Sequence, residues 1–128
     1  MFEDRYNYTQ AVAKCSEEGG IIAMAADQDY FNFLFNLFDV YWARDGDIPG
    51  VFVDGVRMVR QSSAALLNHH TSYWFCVNTN GVCPSSMPWH PGQPSDPLSQ
   101  HCASIHTSYT SGVGDYECNL RLMAMCRF

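Results

Sequence analysis

The chain has little positive charge. Among 128 residues there are 7 Lys and Arg against 13 Asp and Glu, a formal net charge of -6. Nothing in that balance would neutralise phosphates or anionic lipid, so nucleic acid is not an expected partner. Long apolar runs are missing too. No stretch approaches the roughly 18 to 20 residues that span a bilayer, so no membrane span is expected in the chain. Met1 is followed by Phe-Glu-Asp-Arg with no apolar segment behind it, so the reading includes a leader already removed or replaced. Catalytic signatures are absent as well: there is no nucleophile elbow, no H-E-x-x-H and no phosphate loop, and no enzyme is expected. No C-x-x-C pair suggests zinc or redox chemistry.

What is present is an apolar fraction of 47% with 16% charged residues, in the globular range and far from the composition of disorder. The length suits a single domain over residues 1–128. Six cysteines, Cys15, Cys76, Cys83, Cys102, Cys118 and Cys126, form an even set, which points to disulfides and hence to a secreted, extracellular setting. Spacing alone leaves their pairing open.

Tyr8, Ala11, Val12 and Cys15 recur at helical spacing, with Asn7 as a cap and Gly19-Gly20 as a stop. Asn7-Tyr8-Thr9 is also an N-glycosylation sequon, a role compatible with capping. A short strand over 21–24 follows. Asp27 then caps a second helix, in which Phe31, Leu34, Phe35 and Phe38 make one stripe and Phe33, Leu37, Val40 and Tyr41 widen it. The pattern fits a helix pinned between the core and neighbouring strands better than an aromatic docking patch. Residues 51–58 read as a buried strand interrupted at Asp54-Gly55, and 73–77 as another. From Asn78 to Gln100 the pattern dissolves into Asn, Gly and Ser with Pro84, Pro88, Pro91, Pro94 and Pro97, a long structured loop of the kind that carries function. Residues 102–106 and 120–128 close the chain as strands, the last alternating with Cys126 inward. Of His69, His70, His90, His101 and His106, the adjacent pair cannot both face one ion from a strand and no fixed spacing supports zinc.

Several segments in this order resemble the C-type lectin-like domain. Tyr8-Thr9-Gln10-Ala11-Val12-Ala13-Lys14-Cys15 is similar to the family's W-x-x-A-x-x-x-C, with Tyr8 for tryptophan. Gly19-Gly20-Ile21-Ile22-Ala23 follows as G-G-x-L-A does, and Val51-Phe52-Val53-Asp54-Gly55 sits where the family has W-I-G-L. Trp89-His90-Pro91-Gly92-Gln93-Pro94-Ser95 resembles W-x-x-G-x-P-x, and Gly114-Asp115-Tyr116-Glu117-Cys118 resembles N-D-x-x-C. The resemblance covers Tyr8 to Cys126. It implies an α+β fold with two helices flanking small antiparallel sheets, and disulfides Cys15 to Cys126 and Cys102 to Cys118, leaving Cys76 to Cys83.

The resemblance also implies a ligand site. In sugar-binding members a calcium ion sits in the long loop, and calcium takes about 6 to 8 oxygen ligands. Gln93 matches the Q of the Q-P-D variant, and Pro94 its proline, which in the family is cis. Ser95 stands where Asp or Asn is expected, with Asp96 one step later. Gln100 replaces a glutamate, Gly114 replaces an asparagine, and Asp115 keeps its identity. The expectation is a non-enzymatic module that recognises a carbohydrate or protein ligand through Gln93, Ser95, Asp96, Gln100, Asp115 and Trp89, with calcium dependence weakened or lost and no cofactor required. Trp89 fits a buried place at the loop base better than a sugar-stacking one. If calcium binds, Gln93, Asp96 and Asp115 are its ligands, and the Gln-Pro pair implies galactose-type sugars. A third reading is a structural subunit of an extracellular assembly, as a homo- or hetero-oligomer.

Overall fold

The computed structural model describes residues 1–61, 70–94 and 101–128. In chain order the elements are β1 (Phe2–Tyr6), α1 (Tyr8–Glu17), β2 (Ile21–Ile22), α2 (Gln28–Arg44), β3 (Gly50–Gln61), β4 (His70–Cys76), β5 (Gly81–Val82), β6 (Cys102–His106), β7 (Tyr109–Tyr116), β8 (Leu122–Ala124) and β9 (Cys126–Arg127). Neighbouring strands run β1-β8-β3-β4-β5, with β6 joining β3 to β7, and β2 pairs separately with β9. The β3–β8 pairing is parallel and the others are antiparallel.

Both helices begin where their caps dictate. The Asn7 side chain accepts from the Gln10 amide while the Gln10 side chain accepts from the Asn7 amide, a reciprocal capping box. Gly19, at φ +86°, ends α1 in the left-handed region. Asp27 caps α2 by accepting from the Tyr30 amide at 2.8 Å. The helices contribute Tyr8, Ala11, Cys15, Phe31, Leu34, Phe38 and Tyr41 to a core that continues through Phe52, Ile105, Val113, Leu122 and Met123. Each large side chain so buried contributes about 1.5–3 kcal/mol.

Every cysteine is bridged, as Cys15–Cys126, Cys76–Cys83 and Cys102–Cys118. Sequence separations of 111, 16 and 7 correspond, in the loop-entropy account, to about 4.8, 3.1 and 2.5 kcal/mol. The Cys15–Cys126 bridge, closing the longest loop, constrains the unfolded chain most.

Several elements depart from the sequence reading. The strand over 51–58 is longer, Gly50–Gln61, and Asp54-Gly55 is a register shift within it and not a break. The segment over 120–128 is not one alternating strand. It divides into β8 and β9 in different sheets, with Leu122, Met123, Ala124 and Met125 all buried and Leu120 and Phe128 exposed. Packing on both faces replaced the expected alternation. β1, β5 and β7 were not anticipated: β1 is charged and half-exposed, β5 has two residues, and β7 is polar over Tyr109–Ser111. On α2, Phe33, Leu37 and Val40 do not widen the buried stripe but face solvent.

Candidate functional site

The long loop is anchored at its foot by backbone. The Val113 amide donates to the Pro88 carbonyl at 2.7 Å and the His90 amide to the Val113 carbonyl at 2.9 Å, so Trp89 makes a parallel bridge to Val113 of β7. The two backbones approach so closely at Gly112 that a Cβ there would lie 2.5 Å from the His90 nitrogen; only glycine fits. Beyond the bridge the chain turns through Gly92, at φ +85°, and reaches a cis Gln93-Pro94 bond, the isomer the resemblance implied.

This clamp brings Gln93 over β7, where its Oε1 accepts from the Asp115 amide at 3.2 Å. Asp115 has no solvent exposure. Its Oδ2 lies 3.5 Å from Nη2 of Arg57, whose side chain is itself only 7% exposed. The Arg57 guanidinium sits over the Trp74 ring at 5.2 Å, and Trp74 packs on Trp89 with centroids 4.8 Å apart. Arg57, Trp74, Trp89, Gln93 and Asp115 therefore form one connected layer under the loop. Trp89 is half-buried in it, at the loop base, as the sequence suggested.

Of the residues singled out in the sequence, Gln93, Asp115 and Trp89 come together. Ser95, Asp96 and Gln100 lie outside the described residues. As arranged, the described residues do not fit calcium. The Asp115 carboxylate faces a guanidinium, and the Gln93 oxygen is already an acceptor for backbone. Gly114 supplies no donor, and a side chain there would run into the ring of Tyr109. A cation is already built into this layer, and a second one beside it would be repelled.

Next to the layer, Tyr109 lies between two imidazoles, 5.3 Å from His90 and 6.1 Å from His106. Each ring uses Nδ1 to accept a backbone amide, from Ser111 at 3.3 Å and Ser108 at 3.1 Å, which orients both imidazoles against the backbone. Burial pushes the His106 pKa below its ordinary 6.5. The half-buried His101 offers its carbonyl to the Arg57 amide at 2.6 Å. Among the described residues no three His, Cys, Asp or Glu side chains cluster as metal ligands; His69 and the His70 side chain lie outside them. Asn7 spends its Oδ1 on the α1 cap, which leaves the amide nitrogen, the atom that carries a glycan, out of that bond.

A second polar network supports the start of the loop from below. The fully buried Asp54 carboxylate accepts from the Val77 and Asn78 amides at 2.8 Å each and from Asn78 Nδ2 at 2.7 Å. The neighbouring Tyr8 hydroxyl accepts from the Gly55 amide at 3.1 Å. Its pKa is raised to about 12, chiefly by burial and further by the Asp54 charge, against the Gly55 bond that lowers it.

Sequence reasoning missed Arg57, Trp74 and Asp54. For Arg57 and Asp54 a signal was available: both are charged residues inside a strand otherwise rich in Val, Phe and Met, and a buried charge needs a buried partner.

No family model matches the chain, and no curated protein matches it by sequence. Solved structures do. Human lithostathine superposes with a TM-score of 0.71 at 19% identity, over 99% of this chain and 79% of that one. The carbohydrate-recognition domain of mouse scavenger receptor C-type lectin gives 0.65 at 12%, over 98% and 85%. The C-type carbohydrate-recognition domain of cow CD23, solved in the presence of a GlcNAc2Man3 oligosaccharide, gives 0.62 at 15%, over 95% and 78%. Superposing on these structures over nearly its whole length, with two helices, its sheets and three disulfides, the chain has the C-type lectin-like fold.

Proposed function

We propose that this chain is a single, secreted, non-enzymatic binding domain that recognises a carbohydrate or protein ligand through the long loop without using calcium. One observation carries the reading: the buried Arg57–Asp115 ion pair puts a fixed positive charge against the carboxylate that the lectin resemblance assigns to the ion. Asp115, Gln93 and Trp89 then serve as a support for the loop. Ligand contact falls to the loop itself, residues 78–100, with Ser95, Asp96 and Gln100 as its candidate contacts. The fold supports a binding role because two of its disulfides, Cys76–Cys83 and Cys102–Cys118, frame that loop and tie it to a rigid scaffold.

Thermal unfolding with millimolar calcium or with EDTA, paired with a glycan and protein array read under both conditions, tests this. The expected result is one melting temperature and one binding profile throughout. A ligand that binds only the native state must stabilise it. A calcium-induced rise in melting temperature that EDTA reverses, with array binding lost alongside, would restore the calcium-dependent galactose-type reading.

A further inference from the structure

We propose that α2 carries a separate interface, on which a second copy of this chain docks through an antiparallel helix pair. The helix is apolar on two faces. Phe31, Leu34, Phe38 and Tyr41 point into the core, while Phe33, Leu37 and Val40 are 54%, 43% and 67% exposed. The outward residues, with the half-buried Tyr30 ahead of them, are spaced three, four and three apart along the 17-residue helix. That is the a/d spacing of a helix-pairing seam. The Tyr30 and Phe33 rings already stack, with centroids 5.7 Å apart, so part of the seam is ordered before any partner arrives.

The occupant follows from the seam's symmetry and charge. In an antiparallel pair with its two-fold axis level with Phe35, Tyr30 meets Val40, Phe33 meets Leu37, and the same contacts repeat beyond the axis. The surface is complementary to itself, as an isologous dimer requires. Acidic Asp27 and Asp29 stand at the start of α2 and basic Arg44 at its end. This pairing sets Arg44 of each copy beside Asp27 and Asp29 of the other. A parallel pair would bring like charges together at both ends. Arg44 already bonds Glu3 and Asp45 but remains 57% exposed, so it can serve both. The patch is roughly a few hundred Å² per copy, of the size that marks an interaction site on a monomer's surface and at the small end for an interface. The dimer is therefore weak and concentration-dependent.

Sedimentation equilibrium from about 10 μM to 1 mM, the range where a weak pair forms, tests the proposal. The unmodified protein is expected to shift from monomer to dimer. Leu37→Arg and Val40→Glu, at exposed sites, should weaken association by about thirtyfold or more while keeping the original melting temperature, and either variant suffices if the other misfolds. Arg44→Asp should weaken it and Arg44→Asp with Asp29→Arg should restore it. A monomer throughout the range, a dimer indifferent to both seam variants, or a charge swap that fails to restore association would each overturn the proposal.

Discussion

Arg57→Met tests the internal cation directly. The substitution keeps an unbranched apolar stem against Trp74 and deletes the charge that Asp115 faces. Asp115 has no exposure and Arg57 is 7% exposed, so bulk water does not reach the carboxylate to screen its charge. Removing one member of a buried ion pair costs about 3–5 kcal/mol, mostly from the orphaned charge. The lost cation–π contact with Trp74 adds about 1 kcal/mol, offset in part by the methionine sulfur against the same ring. About 4 kcal/mol is a large share of the 5–15 kcal/mol that stabilises a domain. Asp115→Asn should cost a similar amount by removing the buried carboxylate that faces the guanidinium. The double variant Arg57→Met/Asp115→Asn removes both charges and should recover about 2–3 kcal/mol relative to the sum of the singles. Urea unfolding with disulfides intact, followed by circular dichroism, gives all corners of the cycle. Single-variant losses under about 1 kcal/mol with coupling inside about 0.5 kcal/mol would refute the claim that the two charges depend on each other.

Two further perturbations reach other parts of the frame. Asp54→Ala strands the Val77 and Asn78 amides and removes one of the two acceptors of Asn78 Nδ2, which keeps the Ile22 carbonyl, and should cost about 3–5 kcal/mol by urea unfolding; Asn78→Ala, which leaves the backbone donors to Asp54 paired, should cost clearly less. Because burial depresses the folded-state pKa of His106, the stability tied to its neutral form is complete above the unfolded value of 6.5 and declines as the pH falls below it. Melting temperatures between pH 7.5 and 5 should therefore fall, and His106→Gln should flatten part of that slope; an unchanged slope would remove His106 from the account.

The parts of this fold legible in the sequence were those governed by local rules. Both helices announced themselves through Asn7, Asp27 and their apolar spacing, because capping and periodicity act within a few residues. The disulfides followed from the resemblance once Cys15, Cys102, Cys118 and Cys126 fell at matching places. β7 escaped notice because its pairing with β6 is made by backbone, and Thr110, Ser111 and Gly114 carry no apolar alternation. The final segment was misread because alternation presumes a wet face, and Met123 and Met125 have none. At the site, Gln93 and Asp115 were found by their positions, but their mutual bond and the pairing with Arg57 join residues far apart in the chain. Only the folded backbone brings them together.

The clamp at Trp89 and Val113 bears on how a ligand is met. A recognition loop that must be frozen on binding loses affinity to the ordering of its own backbone, about 1–2 kcal/mol per residue. Here Trp89 is held against β7 by a one-residue bridge, its two bonds 2.7 and 2.9 Å long, with a glycine opposite that leaves no gap between the two segments. In the binding role proposed above, that foot of the loop would meet a ligand as a rigid rim and would not mould to it.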